Sequence, residues 1–427
     1  MTGGAPADIV ILGGGLTGLA CALLTLQQLP PDSAGLRITI CDAAAAPLPP
    51  SGAIGARVIA LSPSSIALLG AVDAWPGQEI GRVGWCRRVV AWAGCADGPD
   101  ALCFDAAEFG RRDLMAIAET DLLRAALWAR CTVEPRIRLL PGVSATAVAL
   151  RSDCVDLTLD DGTALSPSLV IGAEGHDSWL RTALGVPCEA REYGQAAIVA
   201  HVSGELPHVH TAWQRFMDGG PLALLPLADG RSSIVWSAAT ATADRLMAAS
   251  DAEFSLELTA ASGGVRGRLT LTTRRQAFAL AAQHATQYTG LRYALIGDAA
   301  HRIHPLAGQG ANLGLADAAA LAESLAEHLA HPLADPGDPR ALRRYERWRK
   351  AANLTTLAAM DAMHEAFTSR LPGMAAAAGD ALRYVDRLGP VKRLLAGHAM
   401  GLDGDLPRAA RPAGIPPERV RSAGRAR

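Results

Sequence analysis

Hydrophobic and polar positions change rhythm several times along the chain, and each change predicts a different element. Ile9–Leu12 is an apolar run closed by three glycines, which reads as a short buried strand. In the stretch that follows, "LTGLACALLTLQQL", apolar residues fill every face; a helix without a polar side belongs inside a layered α/β structure. A second apolar run, "LRITICDA", follows the loop "PPDSAG" and ends in Asp42. Between Val133 and Gly175 the pattern alternates, turns at Asp161-Gly162 and returns as a strand that again ends in a glycine turn, the signature of a hairpin. From Tyr193 to about Leu271 the rhythm is mostly strand-like with Gly and Asp-Gly punctuation, which predicts an antiparallel sheet. The stretch "LIGDAAHRIHPLAGQGANLGLADAAAL", Leu295 to Leu321, restores the order strand, turn, helix, and beyond Pro332 the pattern is helical.

The elements therefore imply an α/β fold with a discontinuous Rossmann-like domain. Residues 1–75, 111–185 and 286–330 are expected to form that domain. Residues 76–110 and 186–285 are expected to form an inserted antiparallel-sheet domain, 331–407 a C-terminal helical region and 408–427 a flexible basic tail. A length of 427 residues agrees with more than one core. No internal repeat is evident.

Composition narrows the function classes. The formal charge is −2, and only Lys350 and Lys392 among 40 basic residues are lysine; so even a balance argues against a nucleic-acid binder. Eight scattered cysteines form no C-x-x-C pair and read as small buried hydrophobes in a reducing compartment. No basic leader precedes the first strand, and no apolar stretch is long enough to span a bilayer. The expected location is cytoplasmic, with contact at the inner membrane face left open.

Gly13, Gly15 and Gly18 form G-x-G-x-x-G directly after a strand and at a helix start, the context in which the motif binds a dinucleotide pyrophosphate. Asp42 lies 24 residues after Gly18 and is placed to accept hydrogen bonds from ribose hydroxyls. The turn alone does not choose between NAD and FAD. The later motifs do, since Glu174 in "IGAEGHDSWLR" and Asp298 in "IGDAAHR" both place a carboxylate between glycine turns at strand ends. A ribityl chain needs such an acceptor, and the helix opening at Gly308-Gln309-Gly310 would stabilise negative charge on a reduced ring. His301 and His304 are spaced i, i+3 but lack a third ligand, so no metal is expected. His304 either faces the cofactor or caps its loop, and His208 and His210 are expected to face solvent.

At these residues the chain resembles the group A FAD-dependent aromatic monooxygenases of the p-hydroxybenzoate hydroxylase fold, most closely the ubiquinone-biosynthesis hydroxylases. The family's stretches appear here as "ARVIALSPSSIALLGAVDAW", "MAIAETDLLRAAL", "YGQAAIVA", "FMDGGPLALLPLADGRSSIVWS", "GDAAHRIHPLAGQGANLGLADAAAL" and "AMGLDGDLP", in order from Ile9 to about Pro407. The resemblance implies that Gly13, Gly15, Gly18 and Asp42 hold the ADP half of FAD, with Arg57 and Arg124 near the pyrophosphate and flavin chain. It implies Asp298 for the ribityl chain, Gly308, Gly310, Ala311 and Asn312 at the helix start under the ring, and Pro305, beside His304, on the oxygen side. Where the family writes Asp-Gly in its middle motif, this chain writes Glu174-Gly175.

The implied activity uses NAD(P)H to reduce FAD, and dioxygen then forms a flavin hydroperoxide that hydroxylates an electron-rich phenol. The implied substrate is a polyprenylated phenol of ubiquinone biosynthesis, met at the membrane surface or within a quinone-biosynthesis complex. Two alternatives stay open at this point: hydroxylation of a small soluble phenol, and a non-catalytic flavoprotein scaffold of a quinone-synthesis complex.

Overall fold

The computed structural model describes residues 8–29, 35–77, 81–93, 101–303, 308–331, 334–368 and 374–411. Its helices, in chain order, are α1 (Leu16–Gln28), α2 (Pro63–Ala71), α3 (Thr120–Val133), α4 (Trp179–Ala183), α5 (Thr240–Ala248), α6 (Asp251–Ala261), α7 (Gln309–Leu329), α8 (Pro339–Thr368), α9 (Met374–Arg387) and α10 (Gly389–Ala399).

Strands Tyr293–Leu295, Leu169–Gly172, Ile9–Leu12, Ile38–Asp42 and Ile137–Pro141 lie side by side and parallel, with the two-residue Thr289–Gly290 antiparallel on one edge. Every residue of Ile9–Leu12 is buried, as the uninterrupted apolar run requires of a central parallel strand. Leu12 pairs with both Gly172 and Cys41, so three loops leave the same edge of the sheet in register. The chain's first two strands sit on one side of that point and Leu169–Gly172 on the other. A reversal of strand order at the carboxyl ends is where open α/β sheets bind ligands.

A nine-stranded sheet forms the second layer system, with the 17-residue strand Cys188–Gly204 near its centre. Its pairs are antiparallel except one: Arg88–Ala93 runs parallel to Thr211–Phe216. These two strands are far apart in sequence, so no tight hairpin dictates their direction. The sheet also takes in His301–Arg302, paired with Gln276–Ala285. Two helices interrupt the segment that the alternation presents as strand. α5 ends at Ala248, and α6 opens on a capping box in which Ser250 and Glu253 satisfy each other's backbone N–H groups. The cue for α6 stands in the sequence as Ser250-x-x-Glu253, but local strand-like rhythm masks it.

His208 and His210, expected to face solvent, are half-buried instead. Their ring nitrogens lie 3.0 Å from the Leu227 carbonyl and 3.1 Å from the Trp85 carbonyl. Val209 and His210 adopt positive φ values of 41° and 56°, and this local reversal turns the imidazoles back onto the sheet.

Candidate active site

The glycine turn after Ile9–Leu12 is fixed by close approach on all but one side. Gly13 has φ +109°, and a Cβ there would stand 2.3 Å from the Ala173 carbonyl oxygen, while one on Gly18 would stand 2.0 Å from the Gly13 oxygen. A Cβ on Gly15 would meet nothing within 4 Å. The only open side of the turn is thus at Gly15, which is also the N-cap of α1 and has no side-chain cap bond. The first N–H groups of α1 are accordingly left free for an anion.

Asp42 is tied to this turn from the neighbouring strand. Its Oδ2 accepts the Gly14 N–H at 2.6 Å and lies 3.3 Å from Arg124 Nη2, while Oδ1 accepts the Ala44 N–H at 2.7 Å. Arg124, projecting from α3, also donates from Nε to the Gly14 carbonyl at 2.8 Å. Gly13, Gly18, Asp42 and Arg124 therefore form one cluster, in which Oδ1 of Asp42 keeps one unused lone pair.

Asp298 lies where the chain crosses between sheets, in the short turn from Tyr293–Leu295 to His301–Arg302. Its carboxylate makes no hydrogen bond to protein among the described residues. The side chain keeps a solvent-facing surface, yet crowding by protein pushes its carboxyl above the ordinary carboxylate range, with His301, His176 and Arg302 pulling partly the other way. An accessible acid hemmed in by protein is a group on the wall of a cleft.

This turn meets the first one through α1. A Cβ on Gly297 would be 3.0 Å from Thr17 Oγ1, and one on Gly314 of α7 would be 2.7 Å from the same atom. Thr17 is in the first turn of α1. The two glycine motifs, some 280 residues apart in sequence, thus border one space.

α7 begins at Gly308, a left-handed N-cap with φ 62° and no side-chain cap bond. A Cβ on Gly310 would meet nothing within 4 Å, and the N–H groups of Gln309, Gly310 and Ala311 precede the first intrahelical bond. Asn312 is spent on bracing: Oδ1 accepts from Ser62 N at 2.9 Å and Ser65 Oγ at 2.7 Å, and Nδ2 donates to the Ala60 and Gly308 carbonyls at 2.9 and 3.1 Å. It locks α7 to the strand Val58–Leu61, directly after Arg57.

Arg57 itself is exposed, and its side chain makes no hydrogen bond among the described residues. The loop before it is held firmly. Glu119 accepts the Gly55 N–H at 2.6 Å and pairs with Arg82 at 2.7 Å, and His201 Nε2 of the second sheet lies 2.8 Å from the Gly55 carbonyl. Glu174 turns back into its own loop, accepting from Ser178 Oγ at 2.7 Å and Leu180 N at 3.2 Å. Burial raises its pKa against these bonds. His304 and Pro305, the expected catalytic pair, lie outside the described residues.

Residues 121–359 match the model of the FAD binding domain family. Over 398 residues, covering 92% of this chain and 90% of the relative, the sequence is 34% identical to ubiquinone hydroxylase UbiL of Rhodospirillum rubrum. This chain belongs to the FAD-dependent ubiquinone-biosynthesis monooxygenases. The monooxygenase is also 33% identical to 3-demethoxyubiquinol 3-hydroxylase of Escherichia coli over 93% of its own length and 99% of that enzyme's. Its fold matches the crystal structure of PqsL, a probable FAD-dependent monooxygenase of Pseudomonas aeruginosa, with a TM-score of 0.72 over 88% of this chain and 100% of that one, at 24% identity.

Several residues that brace the monooxygenase's site escape sequence reasoning. Asp317 of α7 is fully buried. Its Oδ2 accepts the Gly297 N–H at 3.1 Å and lies 2.5 Å from His301 Nε2, and its Oδ1 accepts Arg349 Nε at 2.8 Å and Asn353 Nδ2 at 3.1 Å. Asp317 thereby grips both ends of the Gly297–His301 turn around Asp298. Arg181 grips its middle, donating to the Ala299 carbonyl at 2.9 Å and to His176 at 2.7 Å. The signal for Asp317 is an acid inside the apolar run "GLADAAALAESLA", which also holds Glu323, since a charge on a buried helix requires partners. Which partners it finds is a matter of tertiary structure.

Proposed function

We propose that this monooxygenase hydroxylates the aromatic ring of a polyprenylated phenol in ubiquinone biosynthesis, with dioxygen and NAD(P)H as co-substrates. The observation that carries the reading is the match to 99% of the length of 3-demethoxyubiquinol 3-hydroxylase, which spans the sheets proposed to bind cofactor and substrate alike. The same reading assigns residues 1–75, 111–185 and 286–330 to the cofactor domain and 76–110 with 186–285 to the substrate domain.

FAD, when bound, supplies the oxygen-activating chemistry. The chain's own residues fit it. The uncapped start of α1 and the open side at Gly15 suit a pyrophosphate, and Oδ1 of Asp42 has a lone pair left for a ribose hydroxyl. Asp298, a cleft-wall carboxylate without a protein partner, suits a ribityl hydroxyl. The uncapped N–H groups at Gly310 and Ala311 point to charge stabilisation at the ring. Asn312 contributes by holding that helix start in place with its side-chain amide. Glu174 supports the Ser178 cap of α4 and accepts the Leu180 N–H, so the extra methylene relative to Asp is absorbed inside its own loop.

A polyprenyl substrate resides in a bilayer, so the reading puts this enzyme to work at a membrane surface. No helix among the described residues is long and apolar enough to cross a membrane. Deletion of the gene followed by lipid extraction and mass spectrometry tests the proposal. The expected product is a quinone precursor lacking one ring oxygen, restored by the wild-type chain and not by Asp298→Ala. A normal quinone pool in a strain with no second copy overturns it, and strong stimulation of NAD(P)H oxidation by a simple phenol would then favour the small-phenol reading.

A further inference from the structure

Helix α10 is attached to the protein along one face. Ala396 and Met400 pack with Ala106 and Leu114, and Lys392 Nζ lies 2.9 Å from Glu108 and 3.1 Å from Asp386. The other face is apolar and open. Val391, Leu394 and Leu395 are 40%, 64% and 43% exposed, and just before them Leu388 and Tyr384 are 52% and 64% exposed. The spacing 391, 394, 395 is that of one helical face. Five of the thirteen large hydrophobic residues exposed among the described residues fall within these twelve positions, a clustering that scattered surface apolar residues do not show.

Between Tyr384 and Leu395 the exposed charges without an ion pair among the described residues are both arginines, while Asp403 lies against Gly397 further along α10. Asp386 is taken up by Lys392, and Asp380 lies 3.2 Å from Arg383. Arg387 and Arg393 are exposed and have no ion pair among the described residues. An apolar helix face flanked by free arginines complements an anionic lipid surface, the apolar side chains entering the acyl boundary while the guanidinium groups stay at headgroup level. Its position gives the contact a purpose. The Ala399 carbonyl at the end of α10 accepts a hydrogen bond from Gln309 Nε2 at 3.2 Å, so the helix that carries this face ends against the first residue of α7, at the candidate flavin site.

We infer that the outer face of α10, with Tyr384, Leu388, Val391, Leu394, Leu395, Arg387 and Arg393, is the surface by which this enzyme docks on an anionic bilayer, close to the start of α7. The inference rests on the proposed polyprenylated substrate for its purpose, but not for its test. Sedimentation of the purified full-length holoenzyme with vesicles of phosphatidylethanolamine and phosphatidylglycerol, against phosphatidylcholine alone, measures docking without any substrate.

The wild type is expected to sediment with the anionic vesicles and much less with the neutral ones. Arg387→Gln with Arg393→Gln is expected to weaken anionic binding roughly thirtyfold, the size for two arginines near a charged surface. Leu394→Glu with Leu395→Glu is expected to abolish it, while bound flavin and melting temperature stay as in the wild type. Wild-type binding by the leucine variant overturns the inference and turns attention to the arginine-rich sequence after Arg411. So does absence of vesicle binding by the wild type, or conversion of a dimer to a monomer by the leucine variant in light scattering, which would make the face an interface between copies. Failure of the substrate proposal shows instead as a normal quinone pool in the deletion strain, whatever the vesicles report.

Discussion

Replacing Asp317 with Asn keeps the shape of the side chain and removes its charge. All four of its hydrogen-bond partners are donors: Gly297 N–H and His301 on one oxygen, Arg349 and Asn353 on the other. An amide must present NH2 to one of those pairs, so at least one side of the site faces donor against donor. Arg349, itself buried, is left without its carboxylate, and breaking a buried ion pair from one side costs about 3–5 kcal/mol. For a chain of 427 residues the unfolding entropy is about 0.9 kcal/mol per kelvin, so Tm should fall by about 3–6 °C.

The pH dependence supplies a second check. The Asp317 carboxyl, despite its burial, is held at about 2 by His301 and Arg349. A depressed folded pKa means that the unfolded chain binds more protons. The pair therefore contributes its stability above the unfolded pKa of about 4 and loses it as pH falls from about 4 to about 2, an effect of about 2 kcal/mol. Thermal melts of wild type and Asp317→Asn between neutral pH and this window measure both quantities. The wild type should lose more stability on acidification than the variant, so their curves converge. A variant melting within a degree of the wild type at neutral pH, or curves that stay parallel into acid, would refute the reasoning. If the variant also binds FAD more weakly, the loss should vanish in an Asp298→Ala background, since Asp317 acts on the cofactor only by holding that turn.

Asp298→Ala should leave the fold intact and weaken FAD by about 10–100-fold, the range for losing one hydrogen bond to a charged acceptor, as read from flavin fluorescence. The two glycines of the first turn should respond differently. Gly13→Ala combines φ +109° with a contact of 2.3 Å to backbone and should abolish soluble expression, whereas Gly15→Ala meets nothing within 4 Å and should fold with reduced flavin content. The thiols of Cys21, Cys41, Cys86 and Cys131 are pushed up to about 12 by burial. Peptide mapping after alkylation at neutral pH should find these four unmodified in the native protein, and any rapid labelling of them would contradict their packing.

The cofactor half of the fold is legible because its signals are local. A continuous apolar strand, a turn that only glycine tolerates and an acid at the next strand end are each written in a few adjacent residues. Asp298 was legible for the same reason, as an acid in a Gly-Asp turn at a strand end. The second sheet was less so: the parallel pairing of Arg88–Ala93 joins segments remote in sequence, and α5 and α6 lie within a strand-like stretch whose capping signal is two residues long. Asn312 shows a subtler limit. Its position at the start of α7 is evident, but its bonds to Ser62, Ser65 and Ala60 are made across about 250 residues and make its side chain a brace. Asp317 and Arg349 read as isolated charges until the helices that carry them are brought together.

The turn that carries Asp298 also leaves one sheet and enters the other within five residues, 296–300. A point on the line where two rigid bodies join moves least when one rocks against the other. Were the second sheet to tilt against the first, the carboxylate of Asp298 would stay almost where it is, like the pivot of a balance. A flavin tethered there would keep its place through each such tilt.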